Sequence, residues 1–239
     1  MDTAIQLYTL RDVDETPSDL LSRVAETTFD GVEFAGAPDA AAVDALDETG
    51  LDAAAAHVGI EELEDRRGRV LDACEDADCD TVVVPVLDES NFESRAAVEA
   101  AADRLTAVGD AVADRGFRLA YHNHDHEFTD LGGTTGFELL VESVGDTVSV
   151  ELDTGWALAA GEDPAALLRR LGDVPLVHLK DVDADAARPV ELGEGDLDAA
   201  ACADAAREVG AEWIIYEHDE PSNPLTSLPH GAAALDALR

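Results

Sequence analysis

Lysine is almost absent from this 239-residue chain: Lys180 stands alone beside fourteen arginines. All bases together number 15 against 54 Asp and Glu, a formal charge of −39. No basic stripe of the kind a nucleic-acid binder needs is visible. Cysteine is scarce as well. Cys74, Cys79 and Cys202 give an odd count with no CxxC spacing, which argues against a disulfide framework or a thiolate zinc site and fits a reducing cytoplasm. No apolar run approaches the length of a membrane span. The opening Met1-Asp2-Thr3-Ala4 has no basic segment of a signal peptide. The expectation is a cytoplasmic chain with neither a membrane nor a nucleic-acid partner.

What the chain does have is acid spread from end to end and enough apolar content, 46%, to bury a full core, which argues against disorder. Dispersed like charge destabilises a compact state at low salt. It is screened at molar salt, where the Debye length falls to about 3 Å. An acidic, Ala-rich, Lys-poor composition therefore predicts a protein of a salt-in halophile.

Short apolar runs occur at residues 4–8, 31–34, 53–58, 81–86, 117–122, 148–153, 176–180 and 213–217, each the length of a buried parallel strand. Helical patterns alternate with them at 18–28, 40–48, 61–76, 92–115, 136–144, 164–171, 197–209 and 225–238. Pro17 stands at one helix start, and Gly50, Gly116 and Gly210 precede strands as helix stops. Eight strand–helix units of about 30 residues predict an α/β fold, a single (β/α)₈ TIM barrel over residues 1–239. An open doubly wound sheet is the rival. It lacks its main signal, because no GxGxxG turn follows the first strand, read as running to Leu10.

A barrel carries its active site at the C-terminal strand ends, and residues i and i+2 of a strand share a face. Polar pairs at that spacing are His122 and His124 on the fifth strand, Glu151 and Asp153 on the sixth, His178 and Lys180 on the seventh, and Glu217 and Asp219 on the eighth. Glu33 and His57 join them from the second and third. The acidic composition weakens any lone carboxylate as a candidate. It does not account for the histidines, six of which lie at or just past strand ends while only His230 sits elsewhere. His126 and His218 alternate to the other face and read as supporting residues. Imidazole mixed with carboxylate suits one divalent cation such as Mn²⁺, Co²⁺, Zn²⁺ or Mg²⁺, which would polarise a carbonyl and stabilise an enediolate. A further carboxylate or imidazole would move the α-proton.

Two other motifs give weaker signals. Asp181-Val182-Asp183-Ala184-Asp185 starts like an EF-hand loop, but Ala186 and Leu192 replace the required Gly and Glu. Gly193-Glu194-Gly195-Asp196 offers backbone N–H groups to an anion, although a plain turn reads the same way.

The strings Gln6-Leu7-Tyr8-Thr9-Leu10-Arg11, Phe29-Asp30-Gly31-Val32-Glu33-Phe34, Tyr121-His122-Asn123-His124-Asp125-His126-Glu127-Phe128, Glu151-Leu152-Asp153-Thr154-Gly155-Trp156, His178-Leu179-Lys180-Asp181, Gly193-Glu194-Gly195 and Glu217-His218-Asp219-Glu220-Pro221 together resemble the xylose isomerase-like TIM barrels, the sugar phosphate isomerase/epimerase family. The resemblance covers nearly the whole chain and implies metal ligation by Asp153, His178 and Glu217. His122 stands where the epimerases of that family have a Glu, so a fourth ligand comes from His122 or Glu151, and epimerisation by two carboxylates loses its first member. The Tyr-His-Asn-His pattern is closer to the inosose dehydratase-like branch. Lys180, Glu151 and His124 are the candidates for catalysis, and His57, Glu33 and Trp156 for contact with substrate.

The resemblance implies a metal-dependent isomerase, epimerase or dehydratase of a small sugar or polyol, an assembly into homo-oligomers being compatible with it. The alternatives are an apurinic endonuclease-like phosphodiesterase and a sugar-binding barrel without catalysis.

Overall fold

The eight apolar runs form parallel strands that close on themselves. The computed structural model describes residues 1–239. The barrel strands are β1 (Asp2–Gln6), β2 (Gly31–Phe34), β3 (Asp52–His57), β4 (Thr81–Val84), β5 (Arg118–His122), β6 (Val148–Asp153), β7 (Leu176–Leu179) and, after the hairpin β8 (Asp181–Asp183)–β9 (Arg188–Val190), β10 (Trp213–Tyr216). They are ordered β1-β10-β7-β6-β5-β4-β3-β2 around a closed ring. Helices α1 (Pro17–Ala25), α2 (Ala40–Thr49), α3 (Ile60–Asp76), α4 (Arg95–Ala113), α5 (Gly136–Ser143), α6 (Thr154–Ala159), α7 (Pro164–Leu171), α8 (Ala199–Val209) and α9 (Pro224–Asp236) connect the strands. This is a single (β/α)₈ TIM barrel, with the β8–β9 hairpin inserted after β7.

The first strand is shorter than its apolar run. Gln6 Oε1 accepts the Tyr8 N–H at 2.9 Å, which starts a 3₁₀ turn over Leu7–Leu10. Tyr8 is thereby turned out of the sheet.

Several acids have structural work. Asp39, Asp163 and Asp198 cap α2, α7 and α8 by accepting N–H groups three residues on, and Thr135 with Glu138 forms a capping box on α5. Each such cap stabilises its helix by about 1 kcal/mol. All three cysteines are free and buried. No helix is long and apolar enough to cross a membrane.

Alternation along the strands divides the molecule into two cores. Outward-facing residues join the helices in a cluster of 57 buried side chains. The small inward cluster includes Ala4, Ala55, Val83, Ala120, Leu176 and Ile215. Two residues further along five of these strands come Gln6, His57, His122, His178 and Glu217, so the polar layer lies directly above an apolar floor. Strand register sets its neighbours. Gln6 lies opposite Glu33, His122 opposite Glu151, and Asp153 opposite His178.

Candidate active site

The polar layer is built in two tiers. In the lower tier the buried carboxylates of Glu33 and Glu151 take up imidazole nitrogens. Glu151 Oε2 lies 2.8 Å from His57 Nε2, 2.9 Å from His122 Nδ1 and 3.3 Å from His178 Nε2. Glu33 Oε2 lies 2.7 Å from His178 Nε2 and accepts the Gln6 amide at 2.7 Å. In the upper tier the other nitrogens of the same rings face outward. His178 Nδ1 is 2.9 Å from Glu217 Oε2, and His122 Nε2 is 3.7 Å from Asp153 Oδ2. Two sets of four residues, His57/His122/Glu151/His178 and His122/Asp153/His178/Glu217, each bring one ligand atom per residue within 4.8 Å of one another. His122 and His178 belong to both.

Lys180, 1% exposed, points its Nζ into the upper tier, 2.9 Å from Asp153 Oδ2, 2.9 Å from Glu217 Oε2 and 2.7 Å from Asp219 Oδ2. The segment Asp153-Thr154-Gly155-Trp156 is shaped around it. Asp153 Oδ1 caps α6 through the Trp156 N–H at 2.8 Å, which turns Oδ2 toward the lysine. Thr154 Oγ1 donates to His178 O at 2.9 Å. Gly155 leaves space that a Cβ would fill, 2.7 Å from Lys180 O and 2.8 Å from its Cγ. The Trp156 ring lies 5.1 Å from Nζ, within cation–π range. Asn123 clasps β5 to β6, accepting the Asp153 N–H at 2.9 Å and donating to Asp153 O at 3.3 Å.

Charge states follow from this packing. Burial opposes an ammonium at Lys180, but Asp153, Glu217 and Asp219 outweigh it and hold its pKa well above the ordinary value. Burial also disfavours charge on His57, yet Glu33 and Glu151 push it up to about 10. Asp153 is raised to about 6, by burial against the pull of Lys180 and His178. His124 is pushed down to about 3, by burial and then by Lys180, so its ring is neutral.

A cavity of about 290 Å³ opens above the upper tier, lined by Tyr8, Ala35, His57, Pro85, Val86, His122, His124, Glu217 and Asp219. Of the three residues expected to touch substrate, His57 lines it. Glu33 lies beneath the imidazoles. Trp156 stands behind, stacked on His124 at 5.9 Å. Glu151 is likewise under the rings. Tyr8 and Asp219 also line the cavity, although motif reading assigns neither of them a role; Asp219 stands in the sequence only as the partner of Glu217 in the pair on the eighth strand. Tyr8 was counted into the first strand, and Asp219 was passed over in favour of Glu217. His126 and His230 are tied to the carbonyls of Leu87 and Leu192 at 3.0 and 2.8 Å, and His218 accepts the Glu220 N–H.

The glycine-rich turn does not offer its N–H groups to a ligand. The carboxylate of Asp181 accepts from Val182, Gly193, Gly195 and Leu197 at 2.9–3.0 Å, which also accounts for the failed EF-hand pattern.

Glu127 closes the loop that carries His124. Its carboxyl accepts the Tyr121 hydroxyl at 2.6 Å and the His124 N–H, and burial pushes it up to about 8. A carboxyl raised in the folded state stabilises fully below its unfolded value, and that stability is lost as pH rises through about 8. Glu127→Gln keeps a neutral group there. Between about pH 5 and 9 the variant should gain on the order of 2–4 kcal/mol relative to wild type, read from melting curves. A constant difference across that range would show the carboxyl already ionised.

The chain is similar to known proteins in sequence and in fold. A family model described as xylose isomerase-like TIM barrel matches residues 21–238. An inosose dehydratase of Lacticaseibacillus casei is 28% identical over 180 residues, 64% of this chain and 60% of that protein. One of Clostridium beijerinckii is 32% identical over 92 residues, 38% of this chain and 30% of that protein. The chain thus spans from about a third to three-fifths of the length of these relatives. Among solved structures, a sugar phosphate isomerase/epimerase of Parabacteroides distasonis superposes with a TM-score of 0.83 at 19% identity, over 99% of this chain and 94% of that one.

Proposed function

The chain belongs to the xylose isomerase-like TIM barrel family, and from that membership we propose that it is a metal-dependent enzyme that removes a proton next to the carbonyl of a small sugar or polyol. The observation that carries this reading is the convergence of His122, Asp153, His178 and Glu217 within 4.8 Å. The buried oxygen Asp153 Oδ2 meets only the Lys180 ammonium, at 2.9 Å, and stands 3.7 Å from His122 Nε2. Mixed imidazole and carboxylate donors fit a divalent ion of the Mn²⁺, Co²⁺, Zn²⁺ or Mg²⁺ class. These four residues would hold it. Glu33 and Glu151 would orient His122 and His178 from below, as carboxylates behind ligating imidazoles do. Once bound, the ion would polarise the substrate carbonyl and stabilise enediolate charge.

The chain's own groups supply the rest. His124, neutral and facing the cavity, takes the α-proton. Lys180 keeps its proton under the field of three carboxylates; an ion sharing Asp153 and Glu217 would ease that hold, and the ammonium would then hydrogen-bond or protonate a departing hydroxyl or a developing oxyanion. His57 and Asp219 line the space where the hydroxyl groups lie. With His122 and Glu217 taken as ligands, the cavity keeps the imidazoles of His57 and His124 and one carboxylate, Asp219, with the buried Lys180 ammonium 2.7 Å from it, so acid-assisted loss of a hydroxyl suits the site better than exchange between two bases. The activity named for the curated relatives, dehydration of inosose, favours the same choice. The endonuclease alternative draws no support from a cavity whose acidic members are Glu217 and Asp219.

Elemental analysis of the purified protein should find one divalent ion per chain. Asp153→Asn should weaken its binding by roughly 10²-fold with the fold retained by circular dichroism. Full metal occupancy in that variant would remove Asp153 from the ligand set. Product identification after incubation with keto-sugars and inosose then separates water loss from isomerisation.

A further inference from the structure

The cavity above the upper tier is small for a ligand site. Its volume of about 290 Å³ falls just under the roughly 300–1,000 Å³ usual for such sites. Beside it lies a groove of about 220 Å³, walled by Leu7, Leu20, Phe34, Ala35, Pro38 and Ala42. Ala35 lines both spaces.

Local structure explains this division. The 3₁₀ turn Leu7–Leu10 sends Tyr8 to the cavity and Leu7 to the groove. Side chains alternate along β2. Glu33 points into the barrel, with Oε2 2.7 Å from His178 Nε2. Phe34 points out among the residues packed under the helices and lines the groove. Ala35, one residue past the strand, returns to the rim. It is exposed and carries only a methyl group, so the rim between the two spaces is low at that point.

The two spaces differ in chemistry. Three imidazoles and two carboxylates line the cavity. No hydroxyl, amide or basic side chain lines the groove, and its single ionisable residue is Asp39. Asp39 Oδ1 already accepts the Ala42 N–H at 2.9 Å, as the cap of α2. A charged or strongly hydrated group would find no side-chain partner there, whereas carbon would. Tyr8 and Val86, 43% and 46% exposed, continue the apolar surface across the mouth of the cavity.

Resting on the proposed sugar or polyol chemistry, we infer that the groove is a second subsite, which takes an apolar alkyl or aryl substituent carried by the reacting ring. The ring occupies the cavity. The substituent crosses Ala35 and packs on Leu7, Phe34 and Pro38. Each CH₂ buried there should tighten binding by about three- to fourfold, so the groove selects substituted rings over free ones.

Calorimetric titration in molar KCl with methyl, n-butyl and phenyl β-D-glucopyranoside tests this. The butyl and phenyl compounds should bind at least roughly tenfold tighter than the methyl compound. A crystal structure of the phenyl complex should show the phenyl ring against Phe34 and Ala35. Gly36 borders the groove, and a Cβ there would meet nothing within 4 Å, so Gly36→Val narrows the groove without a clash. That variant should erase the tenfold preference, with the melting temperature and the affinity for the methyl compound unchanged. Equal affinity for the three glucosides overturns the subsite and leaves the proposed chemistry standing. So does a preference that Gly36→Val does not alter, or a phenyl group seated elsewhere. Binding of none of the three, in a protein that turns over an unsubstituted keto-sugar or inosose, overturns the subsite alone. With no turnover of either, the sugar reading falls with it.

Discussion

Lys180→Met should lower kcat by about 10²–10⁴-fold, the range typical for loss of a positioned proton donor. In the metal-free protein it should also lower stability by roughly 3–5 kcal/mol. Both effects follow from one arrangement. The ammonium is buried between Asp153, Glu217 and Asp219, and its removal leaves three carboxylates facing one another in a dry pocket. A divalent ion held by two of them would replace the missing charge, so saturating metal should restore most of the melting temperature while kcat stays low. That split separates a catalytic lysine from a structural one. The simplest structural partner, the adjacent Asp181, is excluded by geometry, since four backbone N–H groups occupy its carboxylate. Arginine should not rescue. Its planar head holds its proton too firmly to give it up, and Gly155 shows how closely the lysine stem is packed. A metal-saturated Lys180→Met enzyme with wild-type kcat would end the assignment.

The second large effect is on salt. A charge of −39 should make the melting temperature climb by roughly 10 °C or more between low and molar KCl, since several kcal/mol of self-repulsion shift a chain of this size by about 2–4 °C each. The surface arginines are already crowded by acid. Arg104 contacts Glu61 and Glu64, Arg115 contacts Asp72 and Glu75, and Arg118 contacts Asp80 and Glu212. Little positive charge remains to offset the other acids, so ions of the solvent must. Sucrose at matched water activity separates screening from general exclusion effects. A melting temperature flat in KCl would sink the halophile reading.

The barrel was legible because strand runs and helix stops are local signals. Residues 31–34 and 148–153 are strands to the residue, and Gly50 and Gly210 end α2 and α8 at positive φ. The convergence of His122, Asp153, His178 and Glu217 was legible for the same reason, since i and i+2 positions at strand ends must face inward. Height along the barrel axis was not. Glu151 has the same spacing signal as Glu217, and only the stagger between strands puts it, with Glu33, beneath the imidazoles. Tyr8 was hidden because its departure from β1 depends on a side-chain bond from Gln6. The β8–β9 hairpin was hidden because Asp181 finds its partners 12 to 16 residues ahead, a separation that no periodic pattern marks.

Closure of the ring has a consequence for how the chain is made. Asp2 pairs with Trp213 and Ile5 with Tyr216, partners separated by roughly 210 residues. At about 5–20 residues per second a ribosome needs roughly 10–40 s to deliver β10 after β1. Throughout that interval β1 has one free edge, and the growing sheet has another at its advancing side. Such edges invite pairing with neighbouring nascent chains. Molar salt screens the repulsion between such chains, so protection falls to the helices, each of which follows its strand within about 30 residues and can cover the growing sheet's outer face before the ring closes.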